Sequence, residues 1–280
     1  MSQVTQTEGS RRSPLPRAIL GKTRGQSHGP VIRLMSPADL GQVLKPFVFL
    51  DLVETDTRNL PKFPRHPHSG IATVSIVTKG NMRFRDPNSG EGVIAYGGLE
   101  WMRAGGGIWH GDEASAGDSP SVQAFQLWIA LPPELENGPS LSQFIEASFT
   151  PTVGPARVLV GEYGGATSPA QAPQGITCLL VTLAPGETWS FQPAPGQSIA
   201  FVSVAQGGLT AVGNIAAGEL AVFEPGEAPI KIRAGPSGVV FVLGSAVPHP
   251  HDLVLGLYSV HTSAVALKAG EARIEALRPR

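Results

Sequence analysis

FPRHPHSGIATVSIVTKGNMRFRDPNSGEGVIAYGGLEWMRAGGGIWHGDE, residues 63–113, decides the reading of this chain. It breaks into short pieces that glycine, proline and polar residues separate. In IATVSIVTKG, Thr73, Ser75 and Val77 alternate with Val74, Ile76 and Thr78, and Gly80 closes the run. That period of two is a strand signal. NMRFRD alternates again with Met82 and Phe84 on one face, PNSGEG reads as a loop, and GVIAYGG, LEWMRAGGG, IWHGDE and VQAFQLWIAL follow. Short strands at close, regular spacing with turn signals predict a β-sandwich or barrel.

Working outward, a second series starts at Arg157: RVLVGEYGG, GITCLLVTLAPG, ETWSFQP, SIAFVSVAQGGLTAVG, ELAVFEPGEAPIKIRAG and GVVFVLGSA. Its order of strand, glycine turn, strand, glycine-led strand and Ala-Gly stop loosely repeats that of the first series, which supports two copies of one β-domain. The expected organisation is a disordered arm over residues 1–16, an N-terminal metal-binding domain over 17–135, a linker over 136–156 with short amphipathic pieces such as LSQFIEASF, and a second, degenerate domain over 157–280 whose last segment returns. Within that segment SAVALKAGEARIEALR is the best helix candidate. Ser263 can cap it, and Ala264, Leu267, Ile274 and Leu277 recur at near-helical spacing, while Gly270 weakens the pattern.

Composition agrees with a turn-rich β protein. The chain of 280 residues holds 34 Gly and 26 Pro, which break long helices, and it is 41% apolar, enough for a core. Its net charge of −1 comes without a basic stripe, so nucleic acid is not an expected partner. No apolar run approaches the roughly 20 residues of a membrane span, and no signal segment is evident, so a cytoplasmic protein is expected. Cys178, the single cysteine, excludes an internal disulfide and lies in the apolar run 176–183, where it reads as a buried small residue.

The histidines carry the chemistry. His66-Pro67-His68 and His110-Gly111-Asp112 are both i, i+2 pairs, and on extended backbone such pairs share a face. Were the two pairs to lie on neighbouring strands and face inward, three imidazoles and a carboxylate would converge, a donor set for Fe, Mn, Ni, Zn or Cu. The same HPH triplet also reads as a proline turn flanked by exposed imidazoles, and spacing does not decide between the two. At His249-Pro250-His251, where no second donor pair follows, a surface turn is expected. His28 reads as structural or solvent-exposed, and His261 is a candidate for the interface between domains. Gly105, Gly106 and Gly107 do not form a phosphate loop and are expected to turn the chain tightly before His110. Glu134 and Glu136, in a Pro-rich stretch, read as solvated charges.

Pro46-Phe47, Asp51, the HPHSG run, Gly97-Gly98 leading to Trp101-Met102, AGGGI-x-H and Phe125-Gln126-Leu127-Trp128 together resemble the pirin family of bicupins, strongly over residues 30–133 and more loosely beyond. The resemblance implies an all-β fold of two tandem antiparallel jelly-roll barrels with one mononuclear metal, usually iron, in the first. It places the four ligands on His66, His68, His110 and, at a position the family fills with Glu, Asp112. Asp is one methylene shorter, about 1.5 Å less reach, and Glu113 is the alternative fourth ligand. Ala72 stands where many relatives carry a Glu after the HPH run. The absence of His between residues 111 and 248 fits an empty second barrel. The implied cofactor is one divalent metal ion, Fe(II) first, with Mn, Ni, Zn or Cu as alternatives. The implied function is an iron-dependent dioxygenase of quercetin-like or small enol substrates, with Phe47, Phe49, Trp101 and Trp109 shaping the pocket. The rival implication is a redox- or metal-sensing regulator that binds a transcription factor or metabolic enzyme. A monomer suits the two internal domains.

Overall fold

The computed structural model describes residues 16–59, 64–86, 90–111 and 114–279. The arm expected over 1–16 lies, Pro16 apart, outside these residues. Strands dominate, as two antiparallel sheets with smaller satellites. The N-terminal sheet runs in the order Leu141–Ile145, Leu99–Arg103, Ile71–Lys79, Ser121–Ala130, Phe47–Asp56, Val31–Met35 and Gln26–His28. Two small sheets accompany it: Asn81–Asp86 between Gly90–Ala95 and Ala114–Ala116, and His66–His68 paired with Ile108–His110. The C-terminal sheet centres on Ile199–Thr210 and the long strand Ile230–Ala246. This is the double jelly roll that the strand pattern and the family resemblance predict. Within 136–156, read from sequence as a linker, Leu141–Ile145 is a strand that extends the N-terminal sheet beside Leu99–Arg103.

Each half lends a segment to the other. Ile19–Thr23 pairs with Leu220–Phe223 at the edge of the C-terminal sheet, and Arg17 donates to the carbonyls of Ser198 and Glu224. In the opposite direction, Val254–Leu255 and Val260–His261 form a small hairpin, and a parallel bridge joins Ser259 to Ser69, beside the HPH strand.

The core explains why the two barrels differ. The largest apolar cluster draws on both sheets: Ala72, Val74, Ile76 and Trp101 from the first meet Val160, Leu180, Phe201 and Val242 from the second. Phe47 and Phe201 meet edge-on across it, ring centroids 5.2 Å apart. Because side chains alternate along a strand, the other face of each sheet points into its own barrel. The second barrel is filled there by Leu179, Val181, Phe191, Val204 and Phe241. The first barrel instead surrounds a cavity of about 1300 Å³.

The C-terminal helix spans Ala264–Ala276, with Ser263 Oγ accepting from the Ala266 amide at 3.2 Å, as the sequence predicts. Its buried residue is Gly270, whereas Ala264 and Leu277 of the expected apolar stripe are exposed. The glycine that weakens the helical pattern is the point where the helix docks. A Cβ there would stand 2.5 Å from Ser69 Oγ and 2.6 Å from His261 Nε2. No helix among the described residues is long and apolar enough to cross a membrane.

Candidate metal centre

The strand His66–His68 lies antiparallel to Ile108–His110, with His110 directly opposite His66 and Ile108 opposite His68. Residues i and i+2, and directly opposed cross-strand partners, share a face, so this register puts all three imidazoles on one side. Gly105 and Gly107, with φ of +53° and +153°, make the turn that delivers His110 to it, as expected from the triple glycine. The rings gather closely: centroids are 4.8 Å apart for His66 and His68, 4.5 Å for His66 and His110, and 5.0 Å for His68 and His110. One ligand nitrogen of each lies within 4.8 Å of the others.

The surroundings prepare these rings as donors of lone pairs. His66 Nδ1 lies 2.9 Å from the Pro64 carbonyl, and His68 Nδ1 lies 2.9 Å from the Tyr258 carbonyl. A carbonyl only accepts, so each Nδ1 carries the proton and each Nε2 is left with its lone pair. Among the described residues, the buried His110 Nε2 has no hydrogen-bond partner. An orphaned imidazole nitrogen beside two others of fixed tautomer fits a metal ion. Burial pushes the His68 pKa down to about 4 and the His110 pKa down to about 2, the neighbouring histidines adding to the second shift, so these two rings stay neutral at ordinary pH. Asp112 and Glu113 lie outside the described residues.

Tyr258 belongs to the returning C-terminal segment, which is tied down next to the site. Ser69, adjacent to His68, has its Oγ 2.9 Å from Ser259 Oγ and 2.9 Å from His261 Nε2. His261 Nδ1 lies 3.2 Å from Glu136 Oε2, and the same carboxylate accepts from the Thr262 amide at 2.7 Å and from Thr262 Oγ1 at 2.6 Å. Glu136, expected as a solvated charge, is therefore a buried anchor at 3% exposure. Its partner is distant in sequence, and the Pro-rich context hides the contact. His261 is fully sheltered in this network. In the other triplet, His251 is exposed but His249 is buried, its backbone amide donating to the Lys45 carbonyl at 3.2 Å, so only half of the expected surface turn reaches the surface.

Of the four aromatic residues expected around the pocket, Phe49 lines the cavity. Phe47 and Trp101 are wholly buried between the two sheets. Trp109 donates from its indole nitrogen to the Ile274 carbonyl at 2.9 Å and so anchors the C-terminal helix. Phe49 is stacked on Trp128, at 4.1 Å between centroids and 11° between planes, and Trp128 in turn meets the His68 ring edge-on at 4.8 Å. Arg33, Asp51, Ser75, Glu100, Gln126 and Tyr258 also line the cavity and were missed. A signal for four of them was present: Asp51, Ser75, Glu100 and Gln126 are polar residues flanked by apolar ones in FLDLV, VSIV, LEWM and FQLW.

Residues 30–129 match the pirin family profile. The N-terminal half carries a pirin domain. A pirin-like protein of Caulobacter vibrioides is 37% identical to this chain over 163 residues, 56% of this chain and 59% of that one. A pirin-like protein of Arabidopsis thaliana is 34% identical over 168 residues, 58% and 53% of the two chains. A Pseudomonas aeruginosa relative, provisionally named a quercetin 2,3-dioxygenase, is 33% identical over 120 residues, 41% and 42% of the two chains. The matches thus span about half the length of these relatives. Among solved structures, one described as quercetin 2,3-dioxygenase from Acinetobacter baumannii aligns with a TM-score of 0.81 at 24% identity, over 92% of this chain and 96% of that one. The bacterial pirin YhhW of Escherichia coli in complex with nickel(II) aligns with a TM-score of 0.61 at 18% identity, over 80% and 95% of the two chains. These likenesses extend the pirin fold, a pair of cupin barrels, across both halves. The three histidines all fall inside the pirin domain, in the barrel that surrounds the cavity.

Proposed function

We propose that this chain is a metal-dependent oxygenase that holds one Fe(II) ion on His66, His68 and His110, with Asp112 as the fourth ligand, and oxidises a small aromatic or enol-bearing substrate with O₂. The observation that carries this reading is the convergence of three imidazoles on one point, the orphaned His110 Nε2 among them. The quercetin dioxygenase name of the Pseudomonas relative and the nickel in the E. coli pirin support a small-molecule substrate and a divalent ion. When bound, the metal supplies a Lewis-acidic, redox-active centre. The chain's own residues do the positioning. The Pro64 and Tyr258 carbonyls hold the His66 and His68 rings in one tautomer and orientation. The Phe49–Trp128 stack shields one side of the site from water and offers an apolar wall to a ring-shaped substrate. In this reading the chain acts in the cytoplasm as a monomer.

Oxygen consumption by protein reconstituted anaerobically with Fe(II) tests the proposal. Quercetin, or one of a panel of small enols, should stimulate uptake, and the His68→Ala variant should show none. Metal-loaded protein that consumes no oxygen with any of them would overturn the oxygenase reading.

A further inference from the structure

The cavity has a second chemical feature. Arg33, Asp51, Gln126, Ser75 and Glu100 are successive cross-strand partners on five adjacent strands, and all five line the cavity. Register thus assembles one continuous polar row inside the barrel. Gln126 precedes Trp128 by two positions, so the row lies about 7 Å farther along that strand than the indole that touches His68. Three layers follow one another away from the histidines: imidazoles, then the Phe49–Trp128 stack, then the polar row.

The row is internally bonded and offers mainly acceptors. Arg33 forms a two-pronged pair with the Asp51 carboxylate, Nη2 lying 3.1 Å from Oδ2, and its guanidinium stacks 4.1 Å above the Phe49 ring. Ser75 Oγ stands 2.8 Å from Glu100 Oε2 and 2.9 Å from Gln126 Oε1. A hydroxyl has one proton to give, and the carboxylate is the stronger acceptor. Ser75 therefore donates first to the Glu100 carboxylate and shares that proton with Gln126 Oε1. Two carboxylates and an amide carbonyl are then the groups with which this row meets a ligand.

We propose that this row is a second subsite, one that takes the hydroxyl-bearing far end of a flat aromatic ligand whose near end lies at the three histidines. The aromatic layer between the two polar ends accommodates a ring, and the acceptors beyond it select O–H donors. The inference rests on the metal-site reading above and adds to it the chemistry of the distal end.

Two probes isolate that end. Quercetin and unsubstituted flavonol share one ring skeleton and one metal-chelating hydroxyl–keto pair, but only quercetin carries further hydroxyls. Their affinities are measured anaerobically for the metal-loaded full chain, for Gln126→Leu and for the milder Ser75→Ala, with metal content and thermal stability recorded for each. Wild type should prefer quercetin by about tenfold or more, the worth of one or two hydrogen bonds. Both variants should lose most of that preference at unchanged metal content. If wild type binds both probes equally, or the preference survives in both folded variants, the subsite is refuted and the metal reading stands. If wild type takes up no metal, the metal reading falls and the subsite with it.

Discussion

Ser69 Oγ lies 2.9 Å from His261 Nε2, which joins the residue after His68 to the C-terminal strap. The link continues through His261 to Glu136, whose carboxylate also holds Thr262. Replacing Glu136 with Ala would leave the buried His261 ring, and two donors of the half-buried Thr262, without their acceptor. Each such buried group costs about 1–3 kcal/mol. Glu136→Ala should lower the thermal midpoint sharply, and Glu136→Gln, which keeps an acceptor, should lower it less. Equal midpoints for Glu136→Ala and wild type would contradict the anchor.

Gly270→Ala separates helix propensity from packing. On propensity alone the exchange favours the helix by about 1 kcal/mol. Here the added methyl would stand 2.5 Å from Ser69 Oγ and 2.6 Å from His261 Nε2. Overpacking of this kind costs about 1–3 kcal/mol, so the variant should be less stable than wild type. It should also bind metal more weakly, because the displaced Ser69 adjoins His68. A denaturation curve with a midpoint above that of wild type would contradict the docking contact.

The buried histidines set an acid limit on the metal-free protein. Burial holds the His68 pKa at about 4 and that of His110 at about 2, and it lowers those of His249 and His261 as well. In the unfolded chain these rings titrate near about 6.5. Below that value the unfolded state binds more protons than the native state, so stability falls with falling pH. The apo protein should keep its full stability above about pH 6.5 and lose it progressively as the pH drops toward about 4. Thermal midpoints recorded at neutral pH and in mild acid check this, and a flat or rising midpoint on acidification would contradict it.

Cys178 reports on unfolding. Its thiol is wholly buried, and burial pushes its pKa up to about 12. A thiol reagent should leave the native protein unlabelled near neutral pH and label it only in denaturant. Rapid labelling of native protein would place this strand elsewhere.

Much of this architecture is legible in the sequence because its signals are local. Alternation in residues 71–79 and the glycines that end each strand mark the jelly rolls, and the spacing of His66, His68 and His110 anticipates a shared face that strand register then supplies. What is hidden depends on distant partners. Glu136 reads as a solvated charge because His261 lies 125 residues away. Phe47 and Trp101 read as pocket walls because alternation separates two faces without saying which one meets the second sheet. The polar row exists only once five strands are in register, although each member already interrupts an apolar run.

The central claim is that His66, His68 and His110 hold a metal ion, and elemental analysis of untagged protein after anaerobic reconstitution with Fe(II) tests it most directly. Wild type should carry about one metal per chain, with His68→Ala falling below about 0.2 and His251→Ala remaining at the wild-type level. Wild-type protein below about 0.2 metal per chain, or loss of metal in His251→Ala but not in His68→Ala, would contradict the account.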